Sequence, residues 1–381
     1  MNEVYLVAAA QLPVEQSTAL TLRQMGAAVA RQTLAQAGLE RVDALYVANM
    51  LSDDLQGQKH LAALIADEAG LTPIEAIEVQ AATASGAACL RLAQLAVASG
   101  AADLVLALGV EKMSEGVAAP ALAKALDAKL EVPDGATLIQ RNAELMQGYL
   151  DRYQVPPAGL AAFSVNAHHN AAGNPNALFK DKQISVEEVL ESRLIHPPIR
   201  LFDCSPICDG AAAVLLASPA RAAGLTQQPV KMLASSVATD RFRLRDRKDP
   251  LRLAAAERSA QLAFEQAGLG PDDVDLLEVH DAFSIMACLL VEAGGFAEAG
   301  QGWRLAADGE IGLHGRLPIS TLGGLKARGH PIGATGLYQA GEIFLQLTGQ
   351  AGQNQVEAAR VAMMQSVGGA ATTLITHLFG V

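Results

Sequence analysis

Thiols, aromatic rings and positive charge are all scarce in this chain. Its 381 residues include four cysteines, 4% aromatics, and 28 Lys+Arg against 40 Asp+Glu, giving a formal net charge of −12. Cysteines as few and as scattered as Cys89, Cys204, Cys208 and Cys288 exclude a disulfide framework. The Cys204–Cys208 spacing lacks the second ligand pair that a zinc site needs, so no metal is expected. Reduced thiols of this kind point to the cytoplasm. Without a basic stripe to displace phosphate counterions, a nucleic-acid partner is excluded. No apolar run approaches the roughly 18 residues of a membrane span. The opening MNEVYLVAAAQLPVE has neither the charged start nor the long apolar core of a secretory signal.

What is abundant is small and aliphatic: 51% of residues are hydrophobic and 34 are glycine. The length corresponds to roughly 2.5 domains of about 150 residues. Strand-length apolar runs at 4–8, 44–48, 104–108, 211–216, 275–279 and 372–376 alternate with helix-length Ala/Leu-rich stretches at 27–37, 85–99, 254–267 and 336–347. Gly38 and Gly268 supply the expected C-terminal stops of two of those helices. Such alternation indicates an α/β fold with covered sheets.

The chain also repeats itself. Gln36-Ala37-Gly38-Leu39 followed by 42–47 is echoed by Gln266-Ala267-Gly268-Leu269 followed by 274–279, and Ala84-Ser85-Gly86 by Ala334-Thr335-Gly336. Two echoes in the same order indicate duplicated halves, not a solenoid of many short units. Residues 115–202 break the pattern with several prolines and polar clusters. The expected organisation is an N-terminal half (1–114 plus 203–218), an inserted loop domain (115–202) and a C-terminal half (219–381).

The segment GGLKARGHPIGATG (323–336) has glycine at five of fourteen positions and places His330 just before a helix start. Close backbone approach and unpaired helix N–H groups suit an anion or oxyanion. No dinucleotide-binding or P-loop motif follows a strand.

GLKARGHPIGATG together with HDAF (280–283) resembles the thiolase family, in its sterol-carrier-protein branch. The resemblance extends through ASG (84–86), GVEKMS (109–114), NPNA (174–177) and DGAAA (209–213). It implies a five-layered αβαβα sandwich, a homodimer or dimer of dimers, coenzyme A thioester substrates with no tightly bound cofactor, and an OB-fold zinc-ribbon protein as a further partner. By the same resemblance, His330 is the histidine that activates the nucleophile and lines one oxyanion hole. His280 fixes that hole's second donor, and the backbone N–H groups of Gly368 and residue 83 form the second hole. Backbone donors do not depend on side-chain identity. Lys326, Arg328, Arg200, Lys180, Lys182, His168 and His169 are candidates for contact with coenzyme A.

The departures concern thiols. Where the family has its nucleophilic cysteine, at a strand-to-helix turn that favours thiolate, this chain has Thr83. The second cysteine's two alternative positions hold Ala282 and Ser366. Cys89, six residues past Thr83, lies about 9 Å along a helix and cannot substitute. Cys89 and Cys288 read as core residues, and Cys204 and Cys208 as structural. A histidine-activated Thr83 remains chemically conceivable. Three readings follow: an acyl-CoA C-acyltransferase with doubtful ordinary thiolysis; a retro-aldolase or decarboxylase of CoA thioesters on the same scaffold; or a non-catalytic CoA-binding subunit. A Thr83 substituted into an ordinary thiolase would leave no second thiol either.

Overall fold

The computed structural model describes residues 2–381. In chain order the first half contains β1 (Tyr5–Gln11), α1 (Leu22–Gln36), β2 (Ala44–Ala48), α2 (Ser52–Leu55), α3 (Leu61–Ala69), β3 (Glu75–Val79), α4 (Ser85–Ser99) and β4 (Leu104–Lys112). An excursion follows with α5 (Ala118–Ala123), α6 (Leu138–Tyr153), α7 (Ala161–Ala171), α8 (Val186–Glu191) and a hairpin of β5 (Leu194–His196) and β6 (Ile199–Arg200). Then come β7 (Asp209–Ala217), α9 (Pro219–Leu225), β8 (Val230–Thr239), α10 (Ala254–Ala267), β9 (Leu276–Glu278), α11 (Ser284–Ala293), α12 (Gly302–Ala307), α13 (Thr335–Leu347), β10 (Val361–Gly368) and β11 (Thr373–Gly380).

The strands run in the order β3-β2-β4-β7-β1-β8-β11-β10-β9. The halves meet at β1 and β8, which share only the pairs Tyr5↔Lys231 and Leu6↔Val230. On one side β2 is parallel to β4, and β7 antiparallel to both β4 and β1. On the other, β9 is parallel to β10, and β11 antiparallel to both β10 and β8. Leu277 and Ile319 form a parallel bridge where the counterpart of β3 belongs. The duplication read from the Gln-Ala-Gly-Leu repeat therefore places β2 and β9, and α4 and α13, at equivalent positions.

Strand alternation builds the layers. In β2, Leu45 and Val47 join the outer core beneath α1 and α3, while Ala44, Tyr46 and Ala48 join the inner core around α4 and α13. In β10, Ala362 and Met364 face that same inner core, and Met363 and Val367 face the outer core under α10 and α11. This is the five-layered αβαβα thiolase fold. Every residue of β4 and β7 is buried, matching their near-continuous apolar sequences. The two inner helices cross at glycines: a Cβ on Gly86 would lie 2.7 Å from the Gly336 nitrogen.

Expected helices at 85–99 and 254–267 match α4 and α10 end to end. β3, β8 and β10 were not anticipated. The first is short and mostly exposed, and the others carry polar residues such as Ser235, Ser236, Gln365 and Ser366 within otherwise apolar runs.

Candidate active site

Thr83 sits in the tight turn between β3 and α4. Ala82 adopts left-handed φ of 51°, an unfavourable conformation for a residue with a Cβ. Ser85 holds the turn, its Oγ accepting from Ala81 N at 2.9 Å and donating to Ala82 O at 2.6 Å. The Thr83 hydroxyl donates to Val367 O at 2.5 Å. Its proton is thus committed to β10 and not to a histidine. A Cβ on Gly368 would come within 2.8 Å of Ala81 O, so the 81–84 turn and the end of β10 are in close contact.

His330 and His280 lie 50 residues apart in the chain, yet their rings meet edge to face with centroids 5.1 Å apart. His330 Nδ1 lies 2.6 Å from Thr335 Oγ1, whose own hydroxyl donates to Pro331 O at 3.2 Å. The threonine oxygen therefore accepts from Nδ1–H, which leaves the lone pair of His330 on Nε2. The His330 N–H donates to Cys208 Sγ at 3.1 Å, so Cys208 is structural, as expected. Burial is the main cause that holds both imidazoles neutral. His280 falls to about 3, with nearby Arg328 contributing. His330 is lowered well below the usual value by burial, then by His280 and Arg328.

The motif around these histidines is largely scaffolding. Asp281 Oδ1 accepts from Leu325 N at 2.7 Å, and a Cβ on Gly324 would lie 2.5 Å from Asp281 Oδ2. With φ of +54° and no room for a side chain, residue 324 must be glycine for the π-helical turn 324–328 to form over Asp281. Glu111 accepts from Asn49 Nδ2, Met50 N, Leu51 N and Gly333 N, tying the 330–335 loop to β4. Burial pushes its carboxyl up to about 7 against those four bonds.

Thr83, His280 and His330 line one cavity of about 130 Å³. Its apolar wall includes Met113, Leu138, Ile139, Phe283, Met286 and Ile332. Asn142, Cys204 and Ser205 also line it, and sequence reasoning missed all three. Asn142 and the leucine and isoleucine beside it come from α6 in the inserted segment, which is fused to no recognisable motif. Cys204 is corrected from structural residue to cavity residue. It forms a bridge with Phe283, and Ser205 N donates to Ala282 O at 2.9 Å, so 204–205 lie against the HDAF segment.

Two proposed coenzyme A contacts are also corrected. Lys326 is 1% exposed, and its Nζ donates to Asp203 O at 2.6 Å. Arg328 is fully buried, paired with Glu342 at 2.5 Å and stacked 5.0 Å over the Tyr338 ring. Neither reaches a phosphate, because both side chains run inward from the π-helical turn. Arg200 is half-buried and donates to Ser192 O, while His169, Lys180 and Lys182 are exposed. His168 is buried, with its ring against Phe179 and Phe202. Ser366 is buried and does not line the cavity, whereas Val367 and Gly369 do.

Comparison with known proteins covers nearly the whole chain. Residues 4–220 match the thiolase N-terminal domain, and 236–381 the thiolase C-terminal domain-like model. The chain belongs to the thiolase family. This thiolase relative is 42% identical to acetyl-CoA acetyltransferase of Methanothermobacter thermautotrophicus, with 100% of both chains covered. It is 32% identical to human sterol carrier protein 2, over 90% of this chain and 64% of that protein. The solved Ltp2-ChsH2(DUF35) aldolase superposes with a TM-score of 0.87 at 21% identity, covering 99% of this chain and 97% of that one. That last likeness establishes the fold. The family supports thiolase-like chemistry on CoA thioesters.

Proposed function

We propose that this thiolase-family chain makes or breaks a carbon–carbon bond in a CoA thioester through the thioester enolate, without an acyl-enzyme intermediate, by a retro-aldol step or a decarboxylation. One observation carries the reading: the Thr83 hydroxyl is bonded to Val367 O, while both histidines of the cavity are neutral and His330 keeps its Nε2 lone pair free of Thr335. A neutral imidazole in a largely apolar cavity is a general base, worth about 10²- to 10⁴-fold. No thiol or thiolate stands at position 83 to attack a carbonyl.

In the retro-aldol direction, His330 Nε2 takes the proton of a β-hydroxyl group. The Cα–Cβ bond then breaks, and its electron pair moves onto the thioester as an enolate. The oxyanion falls to the hole whose donor His280 fixes, and such a donor contributes about 10²- to 10³-fold. The apolar wall excludes water from the enolate. The name of the aldolase neighbour indicates that this fold houses such chemistry. Its name pairs Ltp2 with ChsH2(DUF35), which supports a second protein as a partner of this chain within the proposal.

The names of the sequence relatives favour acyl transfer as the second reading. Acid quenching after incubation with acetyl-CoA, followed by intact-mass measurement, separates the two. No acetyl adduct is expected; a stable adduct mapping to Thr83 would overturn the enolate reading. His330→Gln and His280→Ala should abolish turnover of 3-hydroxyacyl-CoA, whereas a purely CoA-binding subunit would have no turnover to lose.

A further inference from the structure

The residues lining the cavity include two buried polar atoms with no hydrogen-bond partner among the described residues, His280 Nδ1 and Asn142 Oδ1. His280 belongs to the reacting centre already described. Asn142 comes instead from α6 in the inserted segment, and it is 3% exposed. Its Nδ2 donates to Leu138 O, one turn back in the same helix, at 2.9 Å. That bond fixes the amide, so Oδ1 is the atom left without a donor. A buried acceptor without a donor is costly, and a ligand that supplies the donor recovers that cost.

Helical spacing sets this amide in the cavity wall. Asn142 follows Leu138 by four residues and Ile139 by three, so the three share one face of α6. All three line the cavity. The helix that carries them is held at both ends. Thr137 caps its first turn in a box with Gln140, and farther along the Tyr149 hydroxyl is bonded to Glu292 of α11. Much of the remaining wall, Phe283 and Met286 included, is apolar. A fixed acceptor in such a wall selects ligands by whether they bring a donor, a sharper criterion than size.

We propose that Asn142 is a specificity residue whose Oδ1 accepts a hydrogen bond from a hydroxyl of the acyl group, which makes the substrate a hydroxylated acyl-CoA. The inference rests on the CoA-thioester reading above and deepens it. In the retro-aldol step the β-hydroxyl gives its one proton to His330, so it cannot also donate to Asn142. The hydroxyl that Asn142 reads is a further one, on the chain beyond the β carbon. The amide N–H groups of the pantetheine arm are the other donors that such a ligand brings. They are common to every acyl-CoA, so an acceptor meeting them would not discriminate between acyl groups.

Titration calorimetry with CoA, hexanoyl-CoA and the 4-, 5- and 6-hydroxyhexanoyl esters tests this, since binding needs no turnover. At least one hydroxylated ester should bind the wild type about 10- to 100-fold more tightly than hexanoyl-CoA. Asn142→Leu should erase that preference while binding hexanoyl-CoA at least as well. Asn142→Asp, which keeps an acceptor in place, should restore part of it. Because the leucine variant loses an unpaired acceptor, its melting temperature should not fall; a fall with the ester preference intact would make the amide purely structural. Equal wild-type affinity for hexanoyl-CoA and all three hydroxylated esters overturns the inference. So does an equal loss for every ester and for CoA in Asn142→Leu, which would give Oδ1 to the pantetheine N–H groups. Exchange of the α-protons of hexanoyl-CoA in deuterated water, followed by NMR, judges the enolate reading separately. A wild type that binds neither CoA nor any ester overturns the CoA-thioester reading and this inference with it.

Discussion

At the residue scale, the consequential feature is a pair of imidazoles that stay neutral. Because burial lowers His330 and His280 far below the ordinary histidine value of 6.5, the base form persists on acidification. The pH profile of α-proton exchange should therefore be flat as pH falls through 6.5, and an acid limb there would contradict the assignment. Thr83→Cys is expected to acquire an acetyl adduct with acetyl-CoA, because the strained turn and helix start that favour a thiolate are intact. Intact mass again reads the outcome. Arg328 faces two buried carboxylates. Burial and repulsion from Glu342 push Glu278 well up, so it carries a proton, and the guanidinium pairs with Glu342. Arg328→Met leaves Glu342 buried and uncompensated and should cost about 3–5 kcal/mol by denaturant unfolding.

At the scale of elements, two contacts hold the site. The first is the crossing of α4 and α13, whose N-termini present Thr83 and follow His330. Gly86→Ala would put a methyl against Gly336 backbone, where no flexible side chain can yield. Overpacking of this kind costs about 1–3 kcal/mol, so a lower melting temperature with a disproportionate loss of activity is expected. The second is the π-helical turn 324–328, clamped between Asp281 and the inserted segment, where Leu178 N and Phe179 N donate to Arg328 O and Ala327 O, both at 3.0 Å. The glycines and the histidine of this motif were legible as a close-approach segment. Lys326 and Arg328 were not: a sequence gives their charge, but the turn decides that both point inward.

At the scale of the whole molecule, acid and neutral limits of stability arise from opposed groups. His168 and His377, like the two site histidines, are lowered by burial, to about 4 each. The unfolded chain binds these protons first, so stability falls as pH drops through 6.5. Glu111 and Glu342 are raised to about 7, so the stability they confer is full below 4.5 and is lost as pH rises through 7. The two slopes oppose each other between 4.5 and 6.5. Thermal melts should show a shallow dependence in that window and a steep fall below it. The sheet ends at β3, with Ile77 48% exposed and, on the neighbouring helix, Leu92 44% exposed. A free edge with an apolar face is open to pairing, and pairing of two copies along it is a prediction. Light scattering should give a dimer for the wild type and a monomer for Ile77→Asp.

The sequence by itself determined the alternation of elements, the duplication, the family and the two histidines, because each is carried by local periodicity or by a contiguous motif. It also determined that no cysteine stands at positions 83, 282 or 366. Tertiary structure alone decided which side chains share the cavity. Asn142 and Cys204 reach it from an inserted segment and a strand lead-in with no motif of their own, while Lys326 and Arg328 turn away from it. Proximity across more than a hundred residues depends on how layers stack, and no spacing along the chain encodes it. The scarcity of thiols thus acquires a different meaning in three dimensions: of four cysteines, one lines the cavity.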